Sequence, residues 1–218
     1  MKRTKPPIPL SVVRRFPQYF AHAQRQRESG VAWVSSRDLA EALGLTSSTV
    51  RQDLSHLDFS GISKRGYSTE GLADTLAEVL GATRDSRMAI VGAGNLGRAL
   101  ALHGEFGSQG FRTCGIFDAD PRVIGKRVGG LEVQAMEKLA DVVRAERIDI
   151  GIIAVPAASA QEVADRLVVC GVRGLLNLAH VHVRAPRRVV VVETRIAASL
   201  QELAYAIGAN PYALTALR

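Results

Sequence analysis

The sequence predicts an α/β chain of two unlike modules, a small helical module with a β-hairpin followed by a parallel sheet covered on both faces. Three observations predict it. Residues 1–67 hold 11 Lys/Arg against 5 Asp/Glu, whereas residues 68–218 hold 17 against 16, so nearly all of the +7 net charge sits at the front. Beyond residue 87 the apolar pattern changes from helical spacing to short strands alternating with helices. At that change a G-x-G-x-x-G run opens a helix directly after an apolar strand.

The first module is read from its start. Val12, Val13, Phe16, Tyr19, Phe20 and Ala23 recur at helical spacing, which predicts a helix over 11–27, with Pro17 imposing a short lead-in or a kink. Gly30 ends it, and residues 31–34 make a short strand. Ser35 and Ser36 offer a cap for a helix over 37–43 that turns Leu39, Ala40 and Leu43 inward. Gly44-Leu45 turns the chain, and Thr46 caps a helix over 47–57 whose inner face carries Val50, Leu54 and Leu57. Residues 58–67, with Gly61 and Gly66 around Lys64-Arg65, read as a hairpin or wing. A helix over 69–80 then leads to a boundary within 81–87.

A short helix, a glycine turn and a second helix that starts with small polar residues form a winged helix-turn-helix pattern. In such a module the second helix enters the major groove of DNA. Its exposed face presents Ser47, Ser48, Thr49, Arg51 and Gln52. Hydroxyls at a helix start donate to phosphates, Arg51 suits guanine and Gln52 suits adenine. Lys64 and Arg65 in the wing hold flanking phosphate or the minor groove, while Arg14 and Arg15 are weaker candidates. Basic charge gathered on one small module fits a polyanion, because Lys and Arg displace counterions condensed on phosphates.

The second module reads as a Rossmann-like parallel-sheet domain. Strands are expected at 88–91, 111–117, 148–155, 174–178 and 189–192, and helices at 95–109, 136–147 and 159–169. An amphipathic helix over 197–207 closes the chain. The resulting domains are 1–82 for DNA binding, 83–196 for a dinucleotide, and 197–218 for the final helix and tail. In Gly92-Ala93-Gly94-Asn95-Leu96-Gly97, Gly92 turns the chain, Gly94 lets a pyrophosphate approach the backbone, and Gly97 lets helix and sheet pack closely. Phe117-Asp118 ends the next strand, and Asp118 there accepts from the adenosine ribose hydroxyls. An acid also repels a 2′-phosphate, which favours NAD(H) over NADP(H), although Arg122 lies close enough to soften that preference. Ala154-Val155-Pro156 ends the third strand, where a ligand would cross the carboxyl edge of the sheet.

Other classes are disfavoured. A composition of 47% hydrophobic and 22% charged residues is that of a globular protein with a buried core. No apolar run approaches the roughly 20 residues that span a bilayer. The first ten residues lack the apolar core of a signal peptide, so a cytoplasmic location without membrane contact is expected. Cys114 and Cys170 read as reduced packing residues, with a redox thiol as the alternative. His180 and His182 have no evident acid or arginine to orient them, so binding without turnover is expected and no metal site is read. A small NAD-dependent dehydrogenase is the enzyme alternative.

With both modules placed, the chain resembles the Rex family of redox-sensing repressors over nearly its whole length. The resemblance is carried by Val34-Ser35-Ser36, Val50 through Ser55, Lys64-Arg65-Gly66, Gly92 through Leu100 and Phe117 through Pro121. It continues through Ala154-Val155-Pro156, Gly174 through Asn177 and Leu200 through Tyr205. It implies an NAD(H) site that includes Asn177, and a homodimer on a pseudo-palindromic operator. It also implies release of DNA by NADH while NAD⁺ permits binding, and a last helix, with Leu200, Leu203 and Tyr205, swapped between subunits. Where family members carry an arginine, a tyrosine and an aspartate that couple the subunits, this chain has Ala21, His103 and Arg195, and its wing is shorter before Tyr67. Those departures leave open a regulator with an altered switch that answers to another adenine-containing ligand of CoA type.

Overall fold

The computed structural model describes residues 7–209 and divides into two compact units at the Thr83–Arg84 junction. The first unit contains α1 (Leu10–Val13), α2 (Phe16–Glu28), β1 (Trp33–Val34), α3 (Ser36–Leu43), α4 (Ser47–Leu54), β2 (Tyr67–Ser68) and α5 (Thr69–Leu80). Pro17 lies in the first turn of α2, where its missing N–H has no partner to lose, so the predicted first helix is a lead-in plus a main helix.

Local chemistry fixes the turn between α3 and α4. The Ser35 hydroxyl accepts from the Arg37 and Asp38 amides, and the Asp38 carboxylate accepts from the Ser35 amide at 2.9 Å, forming a reciprocal cap. Gly44 ends α3 in the left-handed region at φ 66°, which a side chain would oppose. Thr46 caps α4 by accepting from the Thr49 amide. That helix stops at Leu54, short of the predicted end, yet Leu57 stays buried in the following turn. Phe16, Tyr19, Leu39, Val50, Leu54, Leu72 and Leu76 form the core that clamps α2, α3, α4 and α5 together.

The second unit contains β3 (Ser86–Val91), α6 (Asn95–Ala101), α7 (Glu105–Ser108), β4 (Phe111–Asp118), β5 (Arg127–Val128), β6 (Leu131–Ala135) and α8 (Leu139–Ala145). It continues through β7 (Ile150–Ile153), α9 (Ala157–Val169), β8 (Gly174–Asn177), β9 (Val190–Glu193) and α10 (Ile196–Ala209). Seven strands run in the order β5-β6-β4-β3-β7-β8-β9, parallel throughout except for the β5–β6 pair. Successive side chains of β3 divide between two cores. Ala89 and Val91 join Phe117, Leu139, Val163 and Leu167 beneath α8 and α9. Met88 and Ile90 join Ile116 and Ile152 on the other face, with Leu100 and Phe106 from α6 and α7.

Two expectations are corrected and one element is new. The helix over 95–109 is two helices, because residues 102–104 form a turn that ends at Gly104. The helix over 136–147 begins as a 3₁₀ turn at Met136–Lys138 and is helical from Leu139. The β5–β6 hairpin was not expected. Its Gly129-Gly130 turn has φ of 58° and 82°, and it adds β6 to the sheet with Ile116 opposite Val133.

Candidate functional site

In the first unit α4 projects Ser48, Arg51 and Gln52 into solvent, with Ser47 and Thr49 half-exposed beside them. The Arg51 Nε donates to the Ser47 carbonyl at 3.2 Å, so the guanidinium lies along the start of the helix. The wing is a tight turn closed by an Ile62–Gly66 bridge. Gly66 has φ 95°, and a Cβ there would stand 2.4 Å from the Val34 carbonyl, so the root of the wing needs a glycine. Lys64 takes the left-handed φ of 63° and Arg65 follows it, both exposed. Arg51, Lys64 and Arg65 share the walls of one polar hollow of about 470 Å³ with Ser35 and Ser36. Of the predicted contact residues, Arg51 of the helix and both basic residues of the wing are therefore brought to one hollow.

Arg15 is not among them. Its guanidinium makes two 2.6 Å hydrogen bonds to the Asp53 carboxylate, and the Tyr19 hydroxyl donates to the same group at 2.7 Å. Asp53 has a side chain only 3% exposed. Burial pushes its carboxyl up, but the Arg15 and Tyr19 hydrogen bonds outweigh this and hold it below its ordinary value. Burial and the contact with Asp53 push the Tyr19 phenol upward. The cluster ties the inner side of α4 to α2, which sequence reasoning missed because its members lie 34 and 38 residues apart.

In the second unit the glycine loop joins β3 to α6. A Cβ on Gly92 (φ 105°) would meet the Ala154 carbonyl at 2.3 Å, and one on Gly97 would meet the Gly92 carbonyl at 1.8 Å. Gly94 differs, since a Cβ there meets nothing within 4 Å. Internal packing therefore demands the first and third glycines, while the second lines open space at the carboxyl edge of the sheet. β3 is flanked by β4 on one side and β7 on the other, so the chain reverses its direction of winding here. The same close approach sets Ala154 and Val155 beside Gly92, with Pro156 following at the start of α9.

Asp118 accepts from the Ala93 amide at 2.6 Å through one oxygen and from the Asp120 amide at 2.8 Å through the other. Each oxygen keeps a further lone pair. Arg122 is held by Asp120, with Nη2 to Oδ2 at 2.8 Å, and that pairing pulls the Asp120 carboxyl down to about 2. Asn95 and Leu96 are exposed at the start of α6, and Asn95 accepts from Arg98. Leu96 and Leu200 meet across an apolar cavity of about 510 Å³ lined also by His180, Thr194 and Ile196.

Two predicted ligand contacts are internal in this structure. Phe117 is fully buried, and what it offers the loop is its carbonyl, which accepts from the Gly92 amide. Asn177 is also fully buried, and its amide accepts from Ala179 N and donates to the Val181 carbonyl, so it pins a turn. The expectation that His182 lacks a partner fails. Parallel pairing of β8 with β9 sets Glu193 opposite Asn177, and the carboxylate stands 2.6 Å from His182 Nδ1 and 2.7 Å from Arg195 Nη2. The His182 hydrogen bond leads the effects that hold Glu193 below its ordinary value.

The remaining predicted positions are dispersed. Ala21 is exposed on α2, and His103 lies edge-on to Phe106 with centroids 4.6 Å apart. Leu200, Leu203 and Tyr205 are 61%, 50% and 77% exposed on α10, so the apolar stripe of that helix is largely uncovered. The tail beyond residue 209 lies outside the described residues. Among the described residues no His, Cys, Asp and Glu cluster suits a metal, and no helix is long and apolar enough to cross a membrane.

Comparison with known proteins bears on both units. A family model described as a putative DNA-binding protein N-terminus matches residues 7–55, and one described as a CoA binding domain matches residues 83–181. The redox-sensing transcriptional repressor Rex of Clostridium perfringens is 37% identical over 93% of this chain and 96% of its own length. A solved structure of RSP in complex with beta-NAD+ and operator DNA superimposes with a TM-score of 0.89 at 34% identity, covering 94% of each chain. RSP in complex with beta-NADH superimposes with a TM-score of 0.84 at 35% identity, covering 94% of this chain and 96% of that one.

Proposed function

The chain belongs to the Rex family of redox-sensing transcriptional repressors, and from that premise we propose that it represses transcription as a cytoplasmic homodimer whose hold on operator DNA is set by NAD(H). In this reading α4 enters the major groove, with Ser47, Ser48, Thr49, Arg51 and Gln52 on the DNA side, and Lys64 and Arg65 take flanking phosphate. The pyrophosphate lies over Gly94, with Gly92, Ala93, Asn95, Leu96 and Gly97 forming the cradle and Ala154, Val155 and Pro156 the opposite rim. Asp118 accepts from the ribose hydroxyls. The single observation that carries the ligand assignment is the opening at Gly94 between two glycines that packing fills.

NADH binding releases the operator and NAD⁺ permits its retention. The uncovered stripe of α10 supports a swap of that helix onto the partner subunit. A DNA-shift titration with NADH and NAD⁺ side by side tests the reading, and NADH is expected to release the duplex at much lower concentration. A chain ending at Thr194 is expected to be monomeric by light scattering, and a stable dimer would place the interface elsewhere.

A second reading is favoured by the pairing of Arg195 with Glu193, where the family resemblance leads one to expect an acid at position 195. The switch would then answer to a CoA-type ligand, in keeping with the family model matched over residues 83–181. CoA included in the same titration separates the two, because in this reading it releases the duplex and NADH does not.

A further inference from the structure

We propose that Trp33 is a positioning residue for DNA binding, holding the wing guanidinium of Arg65 by a cation–π contact so that its N–H edges are presented in one orientation. The proposal rests on the DNA-binding reading above and adds to it a residue outside both helix and wing. The Arg65 guanidinium carbon lies 4.1 Å from the centroid of the Trp33 ring, well inside the range in which a cation is attracted to an aromatic face.

Both ends of this contact are anchored. β1 pairs antiparallel with β2, with Trp33 opposite Ser68 and Val34 opposite Tyr67. Gly66 lies too close to the Val34 carbonyl to admit a side chain, which locks the root of the wing to β1. Inside the wing, the Arg65 amide donates to the Ile62 carbonyl at 3.0 Å, and the Ile62 amide donates to the Gly66 carbonyl at 2.7 Å. The backbone of Arg65 is thereby fixed and the indole face fixes its far end.

A guanidinium stacked on a ring uses its π-face, while its N–H donors lie in the plane and stay available to a phosphate. Arg65 is exposed and lines the hollow it shares with Arg51. A long flexible cation ordered before binding loses less freedom on meeting its ligand, so the indole raises affinity without touching DNA. Lys64, one residue earlier, is exposed in solution and its ammonium has no planar face to stack.

The test uses the full chain and a labelled duplex that the unsubstituted protein selects from a randomised pool. Arg65→Ala is expected to weaken binding about tenfold and to lower the salt slope by about one unit. Trp33→Ala is expected to weaken binding about fivefold when Arg65 is present and not at all in the Arg65→Ala background, and Trp33→Phe is expected to recover most of the loss. Trp33 is the chain's sole tryptophan, so its fluorescence reports the clamp directly, and Arg65→Ala is expected to shift that emission in the free protein. Equal cost of Trp33→Ala in both backgrounds overturns the proposal, as does emission unmoved by Arg65→Ala or full affinity of the Arg65→Ala protein. If the unsubstituted protein selects no duplex, the DNA-binding reading itself fails, while the emission measurement, made without DNA, still reports whether the clamp exists.

Discussion

The two units hold their functional segments by opposite means. In the first, a buried charged cluster fixes the back of α4: Asp53 binds Arg15 and Tyr19, and the polar side chains of the helix are left facing outward. In the second, the absence of side chains fixes the loop, since Gly92 and Gly97 admit backbone contacts that any Cβ would break. The two sites accordingly tolerate different changes. A charge-fixed helix tolerates small changes of shape but is loosened by loss of a partner and, to a lesser degree, of ionisation. A glycine-fixed loop contains no titrating side chain of its own but yields to a single methyl group.

The sharpest break of this comparison is Gly92→Ala. Left-handed backbone strain of about 2 kcal/mol and a backbone collision worth about 2 kcal/mol act together. The second unit should therefore lose about 4 kcal/mol, seen as faster hydrogen exchange in β3 and α6. Gly94→Ala should leave that exchange unchanged while weakening NADH in calorimetry. Loss of stability in both variants would erase the distinction drawn between the two glycines.

Asp53→Ala should come next. Removing one partner of a buried pair typically costs about 3–5 kcal/mol, and the partial exposure of Arg15 places this case near 3 kcal/mol. The loss should appear in α2 and α4 and leave β3 protected. Equal loosening of both units would show that the cluster acts beyond its own core.

The smallest effect is acid sensitivity. The carboxyl of Asp53 is held below its ordinary value of 3.8 in the folded protein, so it contributes stability above that pH. That contribution is lost as pH falls through the folded value, since the folded carboxylate must then take up a proton. Denaturant melts of α4 should therefore weaken below about pH 4, by at most about 1.4 kcal/mol per pH unit. Asp53→Asn should flatten this dependence.

Local signals carried the sequence reading a long way. Helix α5 falls where Ser68 and Gly81 bracket it, and α3 and α4 begin at the hydroxyls expected to cap them. The glycine loop was legible because its spacing and the strand before it state one geometry. Long-range pairings were not legible: nothing in periodicity joins Arg15 to Asp53, or His182 to Glu193. The burial of Phe117 and Asn177 was hidden for a similar reason, because a residue at a strand end can face either the ligand edge or the core. The β5–β6 hairpin did leave a local trace in Gly129-Gly130, a dipeptide suited to a two-residue turn.

That hairpin has a consequence for the sheet as a growing object. An open sheet exposes unpaired amides and carbonyls at its rims, which invite strand addition and, in the unfolded ensemble, aggregation. At one rim β5 is only two residues long, antiparallel, and preceded by Lys126 with Arg127 as its first residue. The other rim among the described strands is β9, which carries Val190 and Val192 at 67% and 55% exposure. Lateral growth is blunted on one side only, so misassembly of this chain at high concentration is expected to start at β9. A lysine in place of Val192 is the change that would suppress it.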